Sequence, residues 1–282
     1  VSTPQSPPSA GAPARTVDAY TAAQTAQDAA VGHHAITFRI WRGADGVGEF
    51  HDYTTESADG MVVLDAIHQI QADQANDLAV RWNCKAGKCG SCSAEINGKP
   101  KLMCMTRLDQ LPADEPVTVE PMRAFPHVRD LVTDVSWNFR VKPRIKPFTP
   151  RPPDAPDGTW RIDQRDVERV QEFRKCIECF LCQDVCHVIR DHHMEAEFVG
   201  PRYLVYAAAL EMHPLDVADR TTELKEEFGI GYCNITKCCT AVCPEHITIT
   251  DNAIIPLKER VVDQFYDPLR ALVRLVRGPR KG

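Results

Sequence analysis

The sequence has no apolar stretch long enough to cross a membrane. Its longest run, Tyr203 to Leu210, falls far below the ~18 residues that a spanning helix needs. Any membrane association is therefore expected to be peripheral or through another subunit. There is no basic surplus either: the formal net charge is −6, which gives no reason to expect nucleic acid as a partner. No G-x-G-x-x-G follows a strand pattern, so no Rossmann-type flavin or nicotinamide site is visible. No arrangement of His, Asp and Ser suggests hydrolysis. The charged n-region and apolar h-region of a secretory signal are also missing. What remains, at 282 residues with 43% hydrophobic and 26% charged, has the composition of a soluble globular chain with room for two ordinary domains.

Cysteine is what the chain has in excess, with twelve in all. Disulfides suit small secreted chains, and zinc usually takes paired C-x2-C or mixed histidine sets. Here the cysteines fall in dense groups at ferredoxin spacings, which favours iron–sulfur clusters and a reduced, cytoplasm-facing compartment. Cys84-x4-Cys89-x2-Cys92, followed by Cys104, has the spacing of plant-type [2Fe–2S] ferredoxins. Gly87 and Gly90 fit a loop that must turn tightly and aim backbone N–H groups at sulfides. Cys176-x2-Cys179-x2-Cys182-x3-Cys186 has the spacing of two-cluster ferredoxins, with His187 where that pattern has proline. A second such run, Cys233, Cys239, Cys243 and Pro244, carries Thr236 where its middle cysteine belongs.

In two-cluster ferredoxins the fourth cysteine of each run ligates the other cluster. The expected sets are therefore Cys84, Cys89, Cys92 and Cys104 for [2Fe–2S], and Cys176, Cys179, Cys182 and Cys243 for [4Fe–4S]. Cys186, Cys233 and Cys239 remain for a third cluster. Three thiolates suit [3Fe–4S], a cubane lacking one iron. Cys238 is left over. It could supply a fourth thiolate, replace Cys239, or be a small buried side chain; the repeat spacing favours Cys239 as the ligand. His187, His192, His193 and His246 lie near these runs, in roles of hydrogen bonding or plain exposure rather than acid–base catalysis.

Along the chain, residues 1–34 are rich in Ala, Pro, Ser, Thr and Gln and are expected to be a disordered extension. An α+β domain is expected over 35–140. It has strands at Ile36–Ile40 and Glu49–Thr55, a helix over Val62–Gln74, and strands at Leu78–Trp82, Cys92–Ile96 and Val117–Glu120. Phe125 to Phe139 reads as a further helix. Residues 141–160 hold Pro143, Pro147, Pro150, Pro152, Pro153 and Pro156, a density that sustains neither helix nor central strand and marks a semi-rigid connector. Residues 161–267 read as helical, with helices at Asp166–Phe173, Arg202–Met212 and Ile254–Gln264. Glu223 to Glu227 reads as a solvated charged face. The basic tail 268–282 could form an amphipathic segment that lies on an anionic membrane, docks on a partner, or packs on its own domain.

The order of these centres resembles the iron–sulfur subunit of succinate dehydrogenase/fumarate reductase, over about residues 35 to 265. Phe125-Pro-His-Val-Arg-Asp-Leu-Val, Arg174-Lys-Cys-Ile-Glu-Cys179 and Cys243-Pro-Glu-His-Ile add to the match, and the Cys238-Cys239 pair resembles actinobacterial members. The resemblance implies an N-terminal β-grasp [2Fe–2S] domain and an all-α ferredoxin-like domain. It implies a flavoprotein partner with covalent FAD and a membrane anchor that often holds haem b. Electrons would pass from flavin through [2Fe–2S], [4Fe–4S] and [3Fe–4S] to quinone, on the cytoplasmic face of a bacterial plasma membrane, with no dicarboxylate bound by this subunit. Ubiquinone-using members commonly have proline, then tryptophan, where His187 and Asp191 stand, and often histidine where Asn234 stands. Menaquinone is therefore the favoured acceptor. The rival readings are the iron–sulfur subunit of another flavin-linked complex, a free-standing carrier, and a zinc-stabilised module. The plant-type loop argues against the first.

Overall fold

The computed structural model describes residues 34–268, so the expected extension up to residue 33 and the tail from 269 lie outside the described residues. Strands β1 (His34–Ala44) and β2 (Val47–Ser57) form an antiparallel hairpin with Ala44 opposite Val47. Its turn places Asp45 and Gly46 at φ 51° and 81°, the left-handed pair that a two-residue hairpin turn requires. Helix α1 (Val63–Asp73) follows and buries Val63, Leu64, Ala66, Ile67 and Ile70. The spacing of these residues puts them on one stripe.

Strands β3 (Ser93–Ile96) and β4 (Lys99–Leu102) form a second hairpin, and β5 (Val117–Glu120) inserts between β3 and β1, parallel to β1. The result is a mixed sheet with its helix packed on Phe38, Ile40, Val117, Val119 and Ile96, all with no exposure. The hairpin turn Asn97-Gly98 is also left-handed at both residues and signals β4, a strand absent from the expected set.

Two expectations fail here for one reason. Residues 125–139 do not form a helix. They make the short hairpin β6 (His127–Arg129) and β7 (Val132–Thr133), then helix α2 (Ser136–Val141). Residues 78–82 are not a strand. Asp130 organises both segments. At φ 47° it turns the chain, and its buried carboxylate accepts from Gly43 N at 3.0 Å, Ala79 N at 2.8 Å and Arg42 Nε at 3.1 Å. One carboxylate thereby supplies hydrogen bonds that a helix or a strand ladder would otherwise have made.

The second half is helical: α3 (Gln164–Gln171), α4 (Leu181–Asp184), α5 (His187–Arg190), α6 (Gly200–Glu211), α7 (Thr221–Glu226), α8 (Cys238–Ala241) and α9 (Ile255–Phe265). A π-helical stretch, Ile249–Ile254, leads into α9 and packs on α6. The proline-dense segment runs extended beside this half: Arg151 N donates to Leu215 O at 2.8 Å and Val217 N to Thr149 O at 2.9 Å. Glu223, expected on a solvated face, is instead largely buried and paired with Lys146 of that segment.

Arg220 pins the same segment. Fully buried, it donates to the carbonyls of Lys146 and Pro147, each at 2.9 Å, and to Asp216 Oδ2 at 2.8 Å. Arg220→Leu would leave the carboxylate of Asp216, whose side chain has no exposure, without its cation and with only the N–H groups of Thr149 and Ala218. Removing one member of a buried pair typically costs about 3–5 kcal/mol. A loss of that size is expected in urea unfolding of the assembled protein, with Glu226→Gln at a nearby exposed position as the near-neutral control.

Candidate electron-transfer centres

None of the twelve cysteines is joined in a disulfide. Among the described residues, no three His, Cys, Asp or Glu side chains converge closely enough to hold a single metal ion. Four of the cysteines, Cys176, Cys179, Cys182 and Cys243, instead line one cavity.

The first group lies on the loop between α1 and β3 and on the turn after β4. Cys92 and Cys104 are buried, whereas Cys84 and Cys89 are half-buried. Met103 N donates to Cys92 O at 3.0 Å and ties the turn to the loop. Gly87 and Gly90 sit at φ 65° and 68°, which a glycine reaches without Cβ strain. The Cys84 sulfur accepts from Ala86 N at 3.4 Å and Lys88 N at 3.3 Å. Those backbone donors are the main reason its thiol is held down to about 7. Burial pushes the Cys92 thiol up to about 12. An electron-deficient iron centre would supply the charge that makes such a buried thiolate tolerable.

The second group lines one enclosed, mostly apolar cavity: Cys176, Cys179, Cys182 and Cys243, with Arg202 on its wall. Cys243 reaches it from the distant second run, as the ligand exchange expected from spacing requires. Burial raises the Cys179 thiol to about 12, raises Cys182 well above the ordinary range, and raises Cys243. Ile247 N donates to the Cys243 sulfur at 3.4 Å.

The two runs are built alike. Phe180 and Lys237 both adopt φ 62°, ψ 8°, and each starts a one-turn helix, α4 and α8. Glu178 and Ile235 occupy the preceding left-handed turn at φ 55° and 63°. Side chains pay for that conformation, so its repetition at both runs marks a backbone shaped around something other than itself. Position for position, Cys176 corresponds to Cys233, Cys179 to Thr236, Leu181 to Cys238, Cys182 to Cys239 and Cys186 to Cys243.

Cys186, Cys233 and Cys239 form the third group, with Cys238 beside them. Cys239 is buried, its thiol pushed up by burial to about 11, and its sulfur lies 3.5 Å from Thr250 Oγ1. Cys238 is half-buried and lies 3.3 Å from Thr236 Oγ1. Burial pushes Cys186 up to about 12. At the exposed rim, Asn234 Nδ2 and His187 Nε2 are 3.0 Å apart, so two of the three positions expected to depart from the ubiquinone-type pattern meet in space.

Contacts knit the groups together. Ser93 Oγ donates to Cys179 O at 2.9 Å, and a Cβ on Gly90 would lie 2.5 Å from Cys179 Cα. Fully buried Glu95 of β3 pairs with Arg190 and Arg123, each at 3.3 Å. Asp184 of α4 accepts from Ala124 N at 2.9 Å, and burial pushes its carboxyl up to about 7. Cys182 lies within that one-turn helix and Cys186 stands two residues beyond its end, so the segment joins the second group to the third. Ser93, Glu178, Arg202 and Thr250 did not come from the cysteine pattern. Of these, Arg202 carried a signal, a charge at the head of an apolar, alanine-rich run.

Comparison with known proteins agrees with this arrangement. Residues 37–140 match a family described as "2Fe-2S iron-sulfur cluster binding domain", and residues 172–247 match one described as "4Fe-4S dicluster domain". The fumarate reductase iron-sulfur subunit of Mycobacterium tuberculosis is 34% identical over 203 residues, covering 70% of this chain and 80% of that one. The succinate dehydrogenase iron-sulfur subunit of Bacillus subtilis is 29% identical over 204 residues, covering 67% and 77%. A chain of the Mycobacterium smegmatis Sdh1 complex in the apo form is 62% identical, with a TM-score of 0.81 over 84% of this chain and all (100%) of that one. With the cysteine groups placed as they are, this chain belongs to the family of iron–sulfur subunits of succinate dehydrogenase and fumarate reductase.

Proposed function

We propose that the chain is an electron conduit with three centres in line: [2Fe–2S] on Cys84, Cys89, Cys92 and Cys104; [4Fe–4S] on Cys176, Cys179, Cys182 and Cys243; and [3Fe–4S] on Cys186, Cys233 and Cys239. When bound, such clusters each accept and release one electron. The observation that carries the reading is continuity. The first loop touches the second group through Gly90, Ser93 and Cys179, and α4 joins the second group to the third. No substrate-sized chemistry is asked of the protein side chains. Their work is to hold thiolates in low-dielectric surroundings and to aim backbone N–H groups at sulfur, which tunes potential.

The domain reading follows: a β-grasp ferredoxin-like unit over 35–140, a connector over 141–160 and an all-α ferredoxin-like unit over 161–267. On one side a flavoprotein subunit carrying FAD would deliver or accept electrons. On the other, a membrane anchor of cytochrome b type, with haem b, would place the third centre near quinone at the cytoplasmic face of the plasma membrane. Among the described residues no helix is long and apolar enough to cross a membrane. Menaquinone is the favoured acceptor, supported by the His187–Asn234 pair at the rim of the third centre.

Purification from native membranes tests this. A flavoprotein partner should co-purify, and EPR should give an oxidised [3Fe–4S] signal with reduced [2Fe–2S] and [4Fe–4S] signals on dithionite. Zinc in place of iron and acid-labile sulfide would overturn the assignment of clusters. Iron–sulfur signals without a flavoprotein would overturn the assignment to the complex.

A further inference from the structure

The cavity of the second cysteine group has a cation in its wall that the ligand set does not explain. Arg202, near the start of α6, is only 5% exposed. Its backbone N donates to Gln183 Oε1 at 3.2 Å, and Gln183, fully buried, is held in turn by Val199 O at 3.0 Å. The guanidinium Nη2 donates to Glu178 Oε1 at 2.6 Å, and the group lies 5.6 Å from the ring centres of both Tyr203 and Tyr206. Its Nε is buried with no hydrogen-bond partner among the described residues. The same side chain lines the cavity with Cys176, Cys179, Cys182 and Cys243.

An orphaned buried N–H on a charged group is costly, and a chain that keeps it has a use for it. The local charge count is uneven as well. Glu178 is shared between Arg202 and Lys142, each at 2.6 Å, so two cations face one carboxylate. At the matching turn of the second run stands Ile235, which carries no charge at all. A fixed cation in a low-dielectric wall stabilises added negative charge far more than it would in water.

We propose that Arg202 sets the potential of the middle centre: its guanidinium stabilises the electron held there, and Glu178 limits how strongly it does so. Arg202 acts through its charge at the cavity wall, while the thiolates do the ligation. The two adjacent centres, held by similar backbone turns, are thereby given different electrostatic surroundings. The proposal rests on reading Cys176, Cys179, Cys182 and Cys243 as [4Fe–4S] ligands.

The test is an EPR-monitored redox titration of the assembled complex in membranes, comparing the parent with Arg202→Met, Arg202→Lys and Glu178→Gln. Arg202→Met should make the reduced middle centre at least tenfold less favoured, a downward midpoint shift of about 59 mV or more for one electron. Arg202→Lys should recover part of the shift. Glu178→Gln should move the midpoint upward, because it removes negative charge from the same wall. Opposite signs cannot come from simple loosening of the site. Both variants moving the same way, or neither moving, overturns the proposal. Should Arg202→Met fail to assemble, Glu178→Gln decides alone: an upward shift supports the role, and an unmoved or lowered midpoint overturns it. A parent complex with no [4Fe–4S] signal would instead sink the ligand assignment, which keeps the two failures distinct.

Discussion

Cys239→Ala is expected to abolish the oxidised [3Fe–4S] signal, while Cys238→Ala leaves it in place. The two thiols are neighbours in sequence, so the difference has to come from the backbone. Lys237 and Phe180 share one left-handed conformation, and each launches a one-turn helix. Cys239 therefore occupies the turn position of Cys182, and Cys238 that of Leu181, a core residue with 1% exposure. By that correspondence position 238 falls where the first run packs its core, and position 239 where it places the proposed ligand. Cys186 reaches the third group from the far end of α4, and Cys233 precedes the left-handed turn at Ile235. With Thr236 at the place of a middle cysteine, loss of Cys239 leaves two thiolates, too few for the cluster. Quinone reduction should fall to background in Cys239→Ala, while the flavin-side reduction of an artificial dye by succinate persists. Cys238→Ala should keep both activities, with a stability loss of about 1 kcal/mol or less for a half-buried small side chain. The reverse pattern, signal lost in Cys238→Ala and kept in Cys239→Ala, would exchange the two roles.

The centres were legible because thiolate ligation is a local code: spacing within a loop decides which sulfurs can face one cluster. Exchange of Cys186 and Cys243 between the runs was expected from the same two-run spacing, and Cys243 does line the cavity of Cys176, Cys179 and Cys182. The hairpin β1–β2 and helix α1 were legible through period and turn residues. Long-range polar satisfaction was not. Asp130 looks like one more acid in a helix-compatible stretch, yet its carboxylate serves three donors on β1 and the 78–82 segment. No local pattern announces that. The left-handed Glu178, Phe180, Ile235 and Lys237 were invisible too, because none is glycine, and Ile235 is the type that least favours that region. Their conformation follows from closing a loop around a cluster, a tertiary demand that overrides residue preference.

Gly90→Ala should uncouple the first centre from the second. Gly90 sits at φ 68°, and an added Cβ would come within 2.5 Å of Cys179 Cα and 2.8 Å of its Cβ. The obstacle is backbone and a ligand's own carbon, so no flexible side chain can swing aside. The left-handed conformation adds a further penalty of about 1–2 kcal/mol for any L-residue with a Cβ, and overpacking of this kind typically costs about 1–3 kcal/mol more. The loop can relieve the contact only by moving away from Cys179. That movement stretches the Ser93 Oγ to Cys179 O bond, 2.9 Å in the parent, and lengthens the shortest through-contact path between the two cysteine groups. Magnetic coupling between the reduced [2Fe–2S] and [4Fe–4S] centres reports their separation, so it should weaken in the variant, and succinate-dependent quinone reduction should slow with it. Ser93→Ala supplies the graded comparison. It removes the hydrogen bond without adding volume, so its coupling should lie between parent and Gly90→Ala. If Gly90→Ala kept parental coupling and turnover, the close approach at Gly90 would be packing alone, and electrons would have to leave the first loop by another route. Glycine at this position is thus required twice: by the turn that wraps the first centre, and by the neighbour that the turn must almost touch.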